Sequence, residues 1–288
     1  MIGPKIFTAA ILSLTATALA TPVFSQDVAA ADCSPSGRYE PKYGVFVDNT
    51  TVILPYEISS PCIPVAVVNA ADKIGMARMK PLDLKAIIGI QYNATGTYTP
   101  PGARKSLTLT KSRMQLSYVV PAFRFDYEAD GVRHINVLSY KHAWDETEPG
   151  VGAEPAMGTI DGRIPLIWLT PQGAIWTAVY SERKTTVAQV AGKTTFTAHF
   201  DELGIISTTT LNAADLPERT VLKYKGKTYT ATFADYKPEQ PDYLNVFPAR
   251  ITWAVDGRVF GDFAVTNFRA NPYVVFPVPA VLQKVAAK

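Results

Sequence analysis

The sequence predicts a mainly β, α+β protein: a strongly curved antiparallel sheet with helices on its concave face. Three observations carry that expectation. From Thr186 to Ala270 short segments alternate apolar with polar residues, as in Thr252-Trp253-Ala254-Val255 and Phe263-Ala264-Val265-Thr266; a period of two sends successive side chains to opposite faces of a strand. Asp256-Gly257 separates those two runs, and Asp-Gly accepts the positive φ of a tight hairpin. Ile164 to Ser181 is instead bulky and apolar nearly all round, the pattern of a helix that is buried or covers an apolar cavity.

Met1 to Ser25 has the organisation of a secretory signal peptide. Lys5 begins it, Ile6 to Ala20 is apolar, and cleavage contexts end at Ser25 and at Ala20. The apolar run is short for the roughly 20 residues that span a bilayer, and nothing later in the chain is long or apolar enough to span. The expectation is a periplasmic or secreted protein with no transmembrane segment in the mature chain. In that compartment the two cysteines, Cys33 and Cys62, are expected to form a disulfide closing an N-terminal arm over residues 26–63. Residues 64–288 then form one domain.

Gly44 to Val47 and Thr51 to Leu54 read as a small hairpin. Pro61 to Lys80 is the first helix candidate, with Pro64 in its first turn, Val67, Ala70, Ala71, Ile74 and Met79 on one face, and Pro81 as its stop. Ala86 to Tyr98 turns to strand and is broken by Pro100-Pro101-Gly102. In Lys105 to Tyr118 the apolar register shifts between Leu107/Leu109 and Met114/Leu116/Tyr118, which predicts a bulge. Phe123–Tyr127 and Ile135–Leu138 flank Asp130-Gly131 as a further hairpin, and Trp144 to Gly162 reads as a surface loop or short lid. Pro171 and Gly173 interrupt the apolar helical segment, which predicts two short helices or one kinked one. Strands follow, separated at Ala191-Gly192, Leu203-Gly204, Asp215-Leu216, Lys225-Gly226 and Asp256-Gly257, while the prolines of Asn271 to Pro279 keep that segment from pairing.

Composition excludes several classes of function. The net charge of +3 is small and its basic residues are scattered, so no nucleic-acid partner is expected. Three histidines, His134, His142 and His199, lie on separate segments with no His-x-His run; neither a metal centre nor another cofactor is expected. Serine-nucleophile and phosphate-loop motifs are absent. The one stretch of catalytic composition is His142-Ala143-Trp144-Asp145-Glu146, in which His142, Asp145 and Glu146 are weak candidates for acid–base work. The aromatic surplus points elsewhere. Trp144, Trp168, Trp176 and Trp253, with Ile167, Leu169 and Val179 beside them, are the candidates for contact with an apolar ligand.

Several of these stretches resemble a secreted bacterial family: His142 to Glu146, Glu148-Pro149-Gly150-Val151-Gly152, Ile167 to Ala174, Leu216-Pro217-Glu218-Arg219, Phe247-Pro248-Ala249-Arg250-Ile251 and Asn271 to Pro277. Over roughly Val65 to Pro279 they are similar to the domain that precedes metallo-β-lactamase-fold modules in exported proteins, which is like the half-barrel of the LolA, LolB and LppX lipoprotein carriers. That resemblance implies an open half-barrel, an exported location and an apolar cavity beneath the helix bearing Trp168 and Trp176. It carries no hydrolase activity over, because the chain ends at Lys288 with no room for that module. The expected function is binding or carriage of a lipid or other apolar molecule. The alternatives are an enzyme using His142, Asp145 and Glu146 on an apolar substrate, or docking of an envelope protein partner.

Overall fold

A computed structural model describes residues 44–47, 50–53, 63–76, 87–181, 184–239, 245–273 and 276–283. The expected signal peptide and the Cys33–Cys62 disulfide lie outside the described residues. Strands β1 (Gly44–Val47) and β2 (Thr50–Ile53) pair antiparallel, apart from the main sheet. Helix α1 (Val65–Lys73) starts after Pro64 and buries Val67, Ala70 and Ala71. It ends at Lys73, earlier than the sequence reading placed it. Gly75 takes a left-handed φ of 84°, which terminates a helix before Pro81 is reached.

Two meanders make the main sheet. The first runs through β3 (Gly89–Tyr98), β4 (Leu107–Ser117), β5 (Ala122–Ala129), β6 (Val132–Ser139), β7 (His142–Glu146) and β8 (Glu154–Pro155). A single 3-10 turn (Met157–Thr159) leads into α2 (Ile160–Trp168) and α3 (Pro171–Ser181). The second meander is β9 (Thr186–Val190), β10 (Lys193–Phe200), β11 (Ile205–Leu211), β12 (Pro217–Tyr224), β13 (Lys227–Pro238), β14 (Val246–Val255) and β15 (Arg258–Ala270). A short helix α4 (Ala280–Gln283) follows. Among the described residues β15 pairs with β3, so the two meanders fuse into one unclosed antiparallel sheet of 13 strands, from β8 at one edge to β9 at the other.

The hairpin turns fall where their residues predict. Asp130-Gly131, Ala191-Gly192, Lys225-Gly226 and Asp256-Gly257 all have positive φ at both positions, the two-residue turn whose twist suits the strands it joins. One turn escaped the sequence reading: Tyr140, at φ 53°, opens the β6–β7 connection. His142 to Glu146 is therefore strand, and the loop first placed at Trp144 begins at Thr147. The second helical segment starts at Ile160 rather than Ile164, and its break falls at Leu169-Thr170. Pro248 and Arg250 lie on β14, an internal strand.

The sheet is bent, and α2 measures the bend. Flat, β6 and β12 would lie seven strand spacings apart, about 34 Å. Yet Arg163 on α2 donates to the Val137 carbonyl of β6, while Asp161, two residues earlier, accepts from the Tyr224 hydroxyl at the end of β12. One helical turn cannot bridge 34 Å, so the sheet curves round. Bulges help it do so. Register shifts at Val265/Asn267 on β15, Ala94/Gly96 on β3 and Leu109/Lys111 on β4 fall side by side across adjacent ladders, and each bulge bends its strand. The β4 shift is the one the apolar pattern predicted.

Two apolar clusters sit on opposite faces. The larger joins α1, α2 and α3 to one face of the sheet through Trp168, Trp176, Trp253, Phe196 and Phe263. The smaller lies on the other face of β5–β7, where Trp144, Ile135 and Val137 meet Phe276, Val278 and Leu282 of the C-terminal segment.

Candidate functional site

The expected ligand-contacting residues are all buried, and all but Trp144 come together. Trp168 packs edge-on against Phe200 (5.4 Å) and Tyr180, and Trp176 stacks on Tyr118 (6.4 Å). Trp176 Nε1 donates to the Ile87 carbonyl (2.8 Å), and Trp253 Nε1 to the Leu169 carbonyl (3.0 Å), tying the helices to the sheet. Ile167, Leu169 and Val179 pack in the same cluster. Trp144 stands apart, on the face covered by the C-terminal segment.

Thr170 builds the elbow between the helices. Its hydroxyl accepts the Gly173 N–H (3.0 Å) as an N-cap and pairs with the Tyr118 hydroxyl (2.7 Å). Pro171 stands first in α3, where a missing N–H is harmless. The layer around this elbow is apolar but imperfectly satisfied. Among the described residues the Gln172 amide, Trp168 Nε1, Tyr92 Oη and Ser207 Oγ are buried with no hydrogen-bond partner, and each such group costs about 1–3 kcal/mol.

Beside α2 the layer opens into a cleft of about 130 Å³. Its floor is a ring cluster on β3 and β5: Tyr98 meets Phe125 edge-on (5.1 Å) and Tyr127 (5.5 Å), and Phe125 lies 4.7 Å from Tyr127. Leu166 and Arg163 of α2 form the opposite side. Arg163 is buried: Nη1 donates to the carbonyls of Val137 and Trp144 (both 2.8 Å) and Nη2 to Asp145, which also accepts from Asn136 (2.8 Å). Burial, reinforced by the Asp145 charge and opposed by Arg163, pushes the Tyr127 phenol up to about 12. Burial raises Tyr98 as well. The arrangement suits an apolar chain lying on aromatic rings, with a polar rim at Arg163, Asn136 and Asp145.

His142, Asp145 and Glu146 do not converge. Strand β7 alternates, so Asp145 faces α2 while Trp144 and Glu146 face the other way. Glu146 is buried as a structural carboxylate, accepting from Trp144 Nε1 (2.8 Å), the Gly150 N–H (2.8 Å) and Arg124 (3.2 Å). His142, two residues from Trp144, shares its face. Of the other histidines, His134 stacks on Tyr127 (5.0 Å) and His199 is exposed. Among the described residues no group of three His, Cys, Asp or Glu side chains is placed to hold a metal ion, and no helix is long and apolar enough to cross a membrane.

Sequence reasoning missed Arg163 and the ring floor. The signal for Arg163 was a lone cation entering an apolar helical run, one residue before the point where that run was taken to begin. The floor had none, because Tyr98 and Phe125 become neighbours only through strand pairing. No family model matches the chain, and a search of the curated proteins finds no match.

Proposed function

We propose that this protein is exported to the periplasm and binds or carries a lipid or similar apolar molecule, held between the concave face of a half-barrel sheet and the α2–α3 pair. The cleft over Tyr98, Phe125 and Tyr127 carries the reading. At about 130 Å³ it is smaller than the ~300–1,000 Å³ of a whole ligand site, so a full acyl chain enters only as α2 and α3 lift from the sheet. The unpartnered groups of Gln172, Trp168, Tyr92 and Ser207 support such movement, since the closed layer leaves them unsatisfied. An acyl chain gains about 25 cal/mol for each Å² it removes from water.

The test begins with protein purified from the periplasm of the organism that makes it, examined by native mass spectrometry and lipid extraction. Co-purifying acyl species and saturable binding of a fluorescent fatty acid are expected. Thr159→Trp, at a residue that lines the cleft, is expected to weaken probe binding in protein that still unfolds cooperatively. Empty protein that also ignores the probe defeats the proposal. Docking to an envelope protein is the second reading, favoured by the close packing of Trp168 and Trp176 against Tyr118, Tyr180 and Phe200. A stoichiometric protein partner in place of lipid decides for it.

A further inference from the structure

We propose that the sheet's other face carries a separate binding site for a hydroxylated carboxylate of the sugar-acid kind, in the groove where the bulges of β15, β3 and β4 align. Arg113, Asp126 and Arg133 have the strand parity opposite to Met114, Phe125 and Tyr127, so this face points away from α2 and α3. The site is therefore independent of the interior cleft. The groove measures about 590 Å³, within the ~300–1,000 Å³ of small-molecule sites.

Its charged end is built on one carboxylate. Asp126 accepts Arg133 Nε on Oδ1 (2.8 Å) and Arg133 Nη2 on Oδ2 (2.6 Å), and Arg113 Nη2 also reaches Oδ2 (3.3 Å). Burial pushes this carboxyl up, but the bonds and charge of Arg133, joined by Arg113, more than offset it and hold Asp126 below the usual carboxylate range. The pair of guanidiniums is thus pinned by a permanent anion. A guanidinium has five N–H donors, so three on Arg133 and four on Arg113 are left over from these bonds, and the two side chains are 45% and 41% exposed. Lys111 and Glu128 stand opposite each other beside them. Three cations and two carboxylates line the groove, and Glu148 adds its charge near Arg133, so a bound carboxylate is recognised by the spare guanidinium donors rather than by an excess of positive charge.

Two threonines along the groove accept rather than donate, Thr110 beside Lys111 and Thr266 at the far end. Thr266 Oγ1 gives its proton to the Asn93 carbonyl (3.3 Å) and Thr110 Oγ1 gives its own to the Glu128 carbonyl (3.4 Å). With that single proton committed, each hydroxyl oxygen offers only lone pairs. Asn93 Oδ1, on the strand neighbouring Arg113, has no donor among the described residues. A ligand that satisfies both kinds of group carries an anionic acceptor and O–H donors. Acetate lacks the second and a neutral sugar the first. From Arg133 on β6 to Thr266 on β15 is four strand spacings, about 19 Å, so a chain of several such units fits better than one.

Isothermal titration of the full mature chain with galacturonate, trigalacturonate, maltotriose and acetate tests this. Trigalacturonate is expected to bind most tightly, with maltotriose and acetate weaker by at least about tenfold. A trimer advantage over galacturonate assigns an acidic polysaccharide segment; equal affinity keeps the site and assigns a free sugar acid. Arg133→Gln weakens uronate binding about tenfold or more. Lys111→Gln, at an exposed position that leaves the Asp126 cluster intact, also weakens uronate binding, with an unchanged melting temperature. Maltotriose binding as well as trigalacturonate, acetate binding as well as galacturonate, no uronate binding at all, or native affinity in both folded variants overturns the proposal.

Discussion

Arg163 ties α2 to strands β6 and β7. Its side chain is buried, and it satisfies two strand carbonyls and a carboxylate at once. Replacing it with Met keeps the bulk but leaves the Val137 and Trp144 carbonyls without that donor and Asp145 without its cation. Asp145 is about half exposed and recovers water, so its share is small; the two buried carbonyls dominate. Arg163→Met is expected to destabilise by about 3 kcal/mol in urea unfolding, and Asp145→Asn by about 1 kcal/mol or less. Equal losses from the two would show that the ion pair, not the carbonyl clamp, holds the helix. This residue also marks a limit of legibility. A cation at the start of an apolar run reads as the end of a loop, because its acceptors come from strands far away in sequence.

At the scale of elements, the elbow between α2 and α3 is the part most sensitive to a single atom. A Cβ on Gly173 would lie 2.7 Å from the Ile167 carbonyl oxygen and 2.8 Å from Trp168 Cα. Both are backbone atoms and cannot swing aside, so Gly173→Ala forces the helices apart. A loss of about 1–3 kcal/mol is expected, with near-ultraviolet circular dichroism reporting the displaced tryptophans. Thr170→Val removes the cap and the partner of the Tyr118 hydroxyl together, and is expected to cost about 2 kcal/mol. Full native stability in both variants would show that the helices are not held by their junction. Pro171 and Gly173 predicted a break near here, which local residue chemistry suffices to place. The β6–β7 turn was not legible for the converse reason. Tyr140 adopts a conformation that sequence assigns to Gly, Asn or Asp, so Trp144 onward reads as loop and His142, Asp145 and Glu146 as one group, when the pleat divides them between faces.

At the scale of the molecule, local signals delivered the hairpins but not the seam. The β15–β3 pairing joins residues more than 160 positions apart in sequence, and nothing in either strand names the other. That seam makes one curved sheet of two meanders, and the sheet in turn buries a set of phenols whose titration reports whether the interior stays closed. Tyr92, Tyr98 and Tyr118 are raised by burial, and Tyr127 is pushed from 10.0 to about 12 by burial and the Asp145 charge. A phenol whose folded pKa exceeds its unfolded value contributes its stability in full below the unfolded value, about 10, and loses it as pH rises through the folded one. Stability is therefore expected to fall steeply from about pH 10 to about pH 12. The phenolate absorbance of these four rings should rise together with the loss of far-ultraviolet ellipticity. If the four ionise near pH 10 in protein that keeps its ellipticity, water already reaches the layer between helices and sheet. A bound acyl chain is expected to shift the transition to higher pH, because a ligand of the folded state stabilises it against the unfolded one.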